Sequence, residues 1–148
     1  MFIPLRDINP RSRFPIVTLL MVLANVVAFA FTLGLDAEAQ QLLVYQAGAI
    51  PVEVTRLIDI RPLDIVPPPF TILTSMFLHG GFLHLIGNMW FLWLFGDNIE
   101  ERLGRFRFVL FYLLTGIVGA LAQCFTMPDS TIPMIGASGA VAGVLGGY

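Results

Sequence analysis

Phe77-Leu78-His79-Gly80-Gly81-Phe82-Leu83-His84-Leu85-Ile86-Gly87-Asn88-Met89-Trp90-Phe91-Leu92-Trp93-Leu94-Phe95 is apolar enough to cross a bilayer, yet it carries two histidines and an asparagine. A membrane span takes about 20 mostly apolar residues. Polar side chains inside one are expensive unless they face protein or water. The stretch therefore reads as a membrane helix whose polar residues turn inward, toward other helices.

Those other helices are visible on both sides of it. A first span runs from about Phe14 to Leu35 without a charged residue, with Pro15 suited to a first helical turn and Gly34 to a helix end. A third span runs from about Phe106 to Phe125, and the stretch Gly136 to Tyr148 is again small and apolar. Ala37-Glu38-Ala39 has the small-x-small form of a leader cleavage site, but the apolar run before it exceeds the roughly 7–15 residues of a leader. The expected fold is all-α: a polytopic membrane helical bundle with three helices and the start of a fourth.

Composition agrees. The 148 residues are 57% hydrophobic and 12% charged, against about 25% charged in a soluble domain, and the mean hydropathy is +0.83. Arginine supplies all the cationic charge, and the net charge of -2 gives no basic field for nucleic acid. Cys124 is the only cysteine, which excludes an intrachain disulfide.

Residues 36 to about 70 mix Asp36, Glu38, Glu53, Asp59 and Asp64 with Leu42, Tyr45, Val52 and Ile58. They are too polar to span and too apolar for a plain linker, so short helices at the interface are expected. Pro67-Pro68-Pro69 reads as a stiff extended connector. Gly96 to Arg105 reads as a polar turn between the second and third spans. Arg6, Arg11 and Arg13 lie on the same side as Arg102, Arg105 and Arg107 if each apolar run crosses once. That side should be the cytoplasm.

Three features carry candidate chemistry. In Gly136-Ala137-Ser138-Gly139, two glycines let the backbone turn sharply around a serine. A helix starting near Ser138 leaves N–H groups free to stabilise an oxyanion. The same residues also suit a serine N-cap followed by close helix packing, since Gly139, Gly143 and Gly147 are four apart. His84 and Asn88, at i and i+4, share one helix face and can both donate hydrogen bonds. They suit an oxyanion, or equally a bond between helices. His79 and His84, five apart and without a nearby acid or cysteine, make a poor zinc set, so no metal is expected. Glu100-Glu101-Arg102 reads as a solvated turn whose ion pairs tie two helix ends.

Together these residues resemble the rhomboid family of intramembrane serine proteases. His79 to Met89 is similar to the family's second-helix signature, Ile99-Glu100-Glu101-Arg102-Leu103-Gly104 to its cytoplasmic turn, and Gly136-Ala137-Ser138-Gly139-Ala140 to its nucleophile motif. Tyr45-Gln46-Ala47-Gly48-Ala49-Ile50-Pro51 looks like the start of the first loop in bacterial members.

The resemblance implies Ser138 as nucleophile, with Gly136 and Gly139 opening its turn. It implies His84, Asn88 and the Ser138 N–H as oxyanion donors, with His79 shaping the hydrogen bonding. Glu100 and Arg102 would brace the turn. It also implies transmembrane protein substrates, no cofactor, and a multi-pass location in a bacterial inner membrane with a cytoplasmic N-terminus.

The chain departs from the pattern twice. Phe70-Thr71 stands where the family often has Trp-Arg. The family's general base is a histidine on a sixth helix, whereas His79 and His84 both precede Ser138. A helix from Ser138 to Tyr148 rises only about 16 Å, half of a core about 30 Å thick. The expectation is a single membrane domain, residues 1–148, that stops inside the fourth helix and lacks protease activity by itself. A rhomboid-like protein that binds membrane helices without cutting them is the competing function, and a channel or transporter subunit is another.

Overall fold

The computed structural model describes residues 13–60 and 66–148. Arg6, Arg11 and Asp64, which entered the charge pattern above, lie outside the described residues. Seven helices are described: α1 (Ile16–Leu33), α2 (Ala37–Ala47), α3 (Pro51–Arg56), α4 (Pro68–Ser75), α5 (Phe82–Leu103), α6 (Arg105–Thr126) and α7 (Ser138–Gly147). The fold is an all-α membrane helical bundle. Helices α1 and α6 are long and apolar enough to cross a membrane. Helix α5 has 22 residues, about 33 Å of rise.

The inside-out pattern of α1 is that of a helix in lipid. Thr18, Asn25 and Thr32, seven residues apart, are all buried, while Leu20, Leu23, Val27 and Phe31 point outward and are exposed. Seven residues are close to two helical turns, so the three polar groups form one stripe. Their hydrogen-bonding needs are met partly within the helix: Asn25 Nδ2 donates to the Met21 carbonyl at 2.7 Å and Thr32 Oγ1 to the Ala28 carbonyl at 3.0 Å. Lipid tails solvate the outward leucines as well as a protein interior would, so nothing drives them inward.

Between α1 and α5 the chain forms the expected short helices. Asp36 caps α2, its Oδ1 accepting from the Ala39 N–H at 2.8 Å, and Pro51 opens α3 at a position where no N–H is needed.

Three sequence expectations are corrected. Pro67-Pro68-Pro69 is not wholly an extended connector: Pro67 is the N-cap of α4 and Pro68 and Pro69 lie in its first turn. Prolines are tolerated there because the first N–H groups of a helix have no internal partner. The helix of the second apolar stretch does not coincide with 77–95. It starts at Phe82, since Gly80 and Gly81 break the apolar run, and continues to Leu103. Of the polar stretch Gly96 to Arg105, Gly96 to Leu103 is accordingly not a turn but the last part of α5, and Arg105 opens α6. The chain reverses at Gly104, whose φ of +79° suits glycine.

Helices α6 and α7 pack most closely. A Cβ on Gly119 would lie 2.7 Å from Gly139 Cα, and one on Gly143 would run into the Thr115 side chain. Phe108 and Tyr112 of α6, Leu92 of α5 and Val144 of α7 are fully buried where these helices meet α1. A second cluster joins Ala49 and Val54 to Ile72 and Cys124, seating the segment around α3 on α4 and α6.

Candidate active site

Ser138 is the first residue of α7 and its side chain is exposed. Ala137 before it is fully buried, which anchors the helix start. The first bond of the helix runs from the Val141 N–H to the Ala137 carbonyl at 2.9 Å. The N–H groups of Ser138 and its successors therefore have no acceptor within the helix.

The turn into the helix is made by Gly136, with φ +123°. Its N–H donates to the Ser75 carbonyl at 2.8 Å, tying it to the end of α4. The imidazole of His84 lies against this glycine. A Cβ at Gly136 would sit 2.5 Å from His84 Cε1 and 2.6 Å from Nε2. Glycine is thus required twice, by backbone angle and by the ring beside it. This juxtaposition joins the second-helix motif to the nucleophile motif across the bundle.

His79 and His84 meet edge to face, with ring centroids 5.0 Å apart. His79 is buried, and neither of its ring nitrogens has a hydrogen-bond partner among the described residues. Asn88 is buried one turn after His84, and its Nδ2 donates to the His84 carbonyl at 2.9 Å. That bond uses one of the two amide protons and leaves the other for a different acceptor.

Gly139 differs from the expectation. It is not part of a sharp turn but lies inside α7, where its missing side chain allows contact with Gly119. Glu100 and Arg102 lie in the last turns of α5 and not in a turn. Glu100 is 4% exposed and reaches back to the start of α1. Its Oε1 accepts from the Val17 N–H at 3.0 Å, and its Oε2 accepts from the Thr18 N–H at 2.8 Å and the Thr18 hydroxyl at 2.9 Å. The tie is mainly to these donors at the N-terminus of α1, and an ion pair of the kind expected joins it, with Arg105 Nε 4.0 Å from Glu100 Oε1. Arg102 is exposed.

Ser138 opens on a cleft of about 190 Å³ lined also by Ser75, Gln123, Gly136 and Gly139. Ser75 and Gln123 are polar groups that sequence reasoning did not single out. The one local signal was for Ser75, a small polar residue four positions before His79.

The arrangement can hold a carbonyl oxygen between helix N–H groups and side-chain donors beside a serine hydroxyl. Known proteins share its parts. The sequence profile of the Rhomboid domain matches residues 68–148. RHOMBOID-like protein 5 of Arabidopsis thaliana is 39% identical over 75 residues, covering 51% of this chain and 24% of that protein. Putative rhomboid protease YdcA of Bacillus subtilis (strain 168) is 39% identical over 77 residues, 52% of this chain and 38% of its own length. Rhomboid protease GluP of the same bacterium is 43% identical over 75 residues, 51% of this chain and 14% of its own. The chain thus spans less than two fifths of the length of these relatives. The matched domain covers more than half of the chain and includes α4 to α7, and on that ground this membrane protein belongs to the rhomboid family.

Proposed function

We propose that the chain carries the nucleophile and the oxyanion-binding part of a serine-type intramembrane endopeptidase that cuts transmembrane segments of other proteins. The observation that carries this reading is the seat of His84 on Gly136, two residues before an exposed serine at a helix start.

Ser138 Oγ attacks the scissile carbonyl, forming the C–O bond of a tetrahedral intermediate. The negative charge that develops on the carbonyl oxygen is met by the Ser138 N–H, by His84 and by the second amide proton of Asn88. Donors fixed before the reaction cost no reorganisation when charge appears, and removing one such donor costs about 10²–10³ in rate. His79, buried beside His84, keeps that ring in place. The proton of Ser138 needs a base. Both histidines within residues 1–148 are assigned to the oxyanion side, so the base is expected from the family's sixth helix. Residues 1–148 form one membrane domain in this reading.

The substrate must present an unwound carbonyl, because an intact membrane helix has every carbonyl bonded within itself. The N-terminus is assigned to the cytoplasm of a bacterial inner membrane. Arg13 and Arg105 line one cavity of about 410 Å³ together with Glu100 and Gly104, which supports a shared end for the start of α1 and the α5–α6 reversal.

The test is labelling by a serine-directed fluorophosphonate of the protein expressed from its complete reading frame in membranes. Labelling that disappears in Ser138→Ala, with cleavage of a membrane substrate lost in parallel, is the expected result. Absence of any Ser138-dependent label overturns the reading in favour of a rhomboid-like protein that binds helices without cutting them.

A further inference from the structure

The loop that delivers Ser138 has no helix of its own from Pro128 to Gly136, yet it is held along most of its length by one distant segment. Ala49 and Met134 exchange both backbone hydrogen bonds, at 3.0 and 2.8 Å. The Val52 N–H donates to the Ser130 carbonyl at 3.1 Å. The single proton of the Thr55 hydroxyl is shared between the Pro51 carbonyl at 2.8 Å and the Pro128 carbonyl of the loop at 3.1 Å. Arg56 pairs with Asp129 at the surface. Ala49 and Ile50 are fully buried under this seam.

The segment is itself fixed to the bundle. Thr74 Oγ1 on α4 donates to the Ala47 carbonyl at 2.6 Å, and one residue later Ser75 accepts from the Gly136 N–H. Gly48 packs directly on the loop. A Cβ there would lie 2.5 Å from the Val44 carbonyl oxygen at the end of α2, 2.9 Å from Pro133 Cβ and 3.2 Å from Ile135 Cγ2. Pressure at Gly48 would therefore fall on the end of α2 and, through residues 133–135, on Gly136 and the start of α7.

We infer that residues 48–55 are a positioning element for Ser138, with Gly48 and Thr55 as positioning residues that act through the loop and touch neither substrate nor nucleophile. The inference rests on the nucleophilic role of Ser138. A loop without internal secondary structure opens easily, and a misplacement of about 1 Å in a reacting group costs about 10²-fold in rate. The seam supplies the rigidity that the loop lacks.

The experiment uses the protein from its complete reading frame, in detergent micelles, with a fluorophosphonate and a fluorogenic membrane-spanning peptide. Gly48→Ala lowers the labelling rate at Ser138 and kcat by about tenfold or more while KM stays within about twofold. Thr55→Val, which loses the hydroxyl proton shared between α3 and the loop, lowers both rates about threefold. Thr55→Ser, which keeps the hydroxyl, restores them. Unchanged rates in Gly48→Ala and Thr55→Val overturn the inference, as does an equal loss in Thr55→Ser and Thr55→Val. If Gly48→Ala does not fold, the Thr55 pair decides alone. If the wild type never labels, the nucleophile reading has failed and amide exchange takes over as the readout. Exchange at Met134 and Gly136 should then quicken about threefold in Thr55→Val and not in Thr55→Ser. Equal exchange in the two variants removes the seam's role as well.

Discussion

Replacing Glu100 by glutamine changes one oxygen to an amide nitrogen, and the consequence can be worked out bond by bond. The carboxylate accepts three hydrogen bonds, from the Val17 N–H, the Thr18 N–H and the Thr18 hydroxyl, and it is almost wholly buried. Both N–H donors belong to the first turn of α1, where no intrahelical acceptor exists. A glutamine amide offers only one accepting oxygen, so at least one of these N–H groups faces an NH₂ instead. Hydrogen bonds to charged groups are worth about 1.5–3 kcal/mol. The helix N-terminus adds about 0.3–1 kcal/mol for a negative charge. Losing the charge and one acceptor should therefore cost about 2–4 kcal/mol, a large share of a native stability of about 5–15 kcal/mol. The assay is reversible unfolding in mixed micelles, followed by the fluorescence of Trp90 and Trp93 on α5. Thr18→Val, which removes only the hydroxyl donor, should cost about 1–2 kcal/mol and couple to Glu100→Gln in a double-mutant cycle. A Glu100→Gln protein within about 0.5 kcal/mol of wild type would refute the claim that this carboxylate latches α5 to α1.

Other outcomes test the packing and the turn. Gly119→Val forces α6 away from the Gly139 backbone and should lower stability by about 2–3 kcal/mol in the same unfolding assay. Gly136→Ala places a methyl group on the His84 ring at a φ that disfavours side chains. It should cost about 1–3 kcal/mol in stability and reduce fluorophosphonate labelling of Ser138 by about tenfold or more. Arg56→Ala removes a surface ion pair whose side chains are 59% and 77% exposed. It should change stability by no more than about 1 kcal/mol, less still at high salt.

Much of this architecture was legible in the sequence, for identifiable reasons. Helices α1 and α6 follow from apolar runs because lipid demands an uninterrupted hydrogen-bonded helix. The meeting of His84 with Gly136 followed from motifs. Gly136 was expected to turn, and it does. The limits of α5 were misread because hydropathy measures immersion, not helicity. Gly80 and Gly81 are apolar by that measure but break a helix, while Asp97 to Arg102 are polar and helical. The three prolines were misread for a related reason: proline opposes helix interiors but not helix starts. Gly139 was read both as part of a turn and, from its spacing with Gly143 and Gly147, as a helix contact; the contact is what the fold shows, and only the partner, Gly119, was beyond local pattern. The same limit hid the acceptor role of Glu100, whose donors lie 82 and 83 residues earlier, and the seam between residues 49–56 and 128–134.

The Glu100 latch also has a consequence for how the protein is made. Helix α1 is apolar enough to enter a membrane unaided, but its first N–H groups find their acceptor only after 82 further residues have been added. At about 5–20 residues per second, ribosomal synthesis leaves that end open for about 4–16 s. During this interval α1 is a tethered helix with a polar stripe and an uncapped end. Until Glu100 is added, those N–H groups depend on water or lipid headgroups for acceptors.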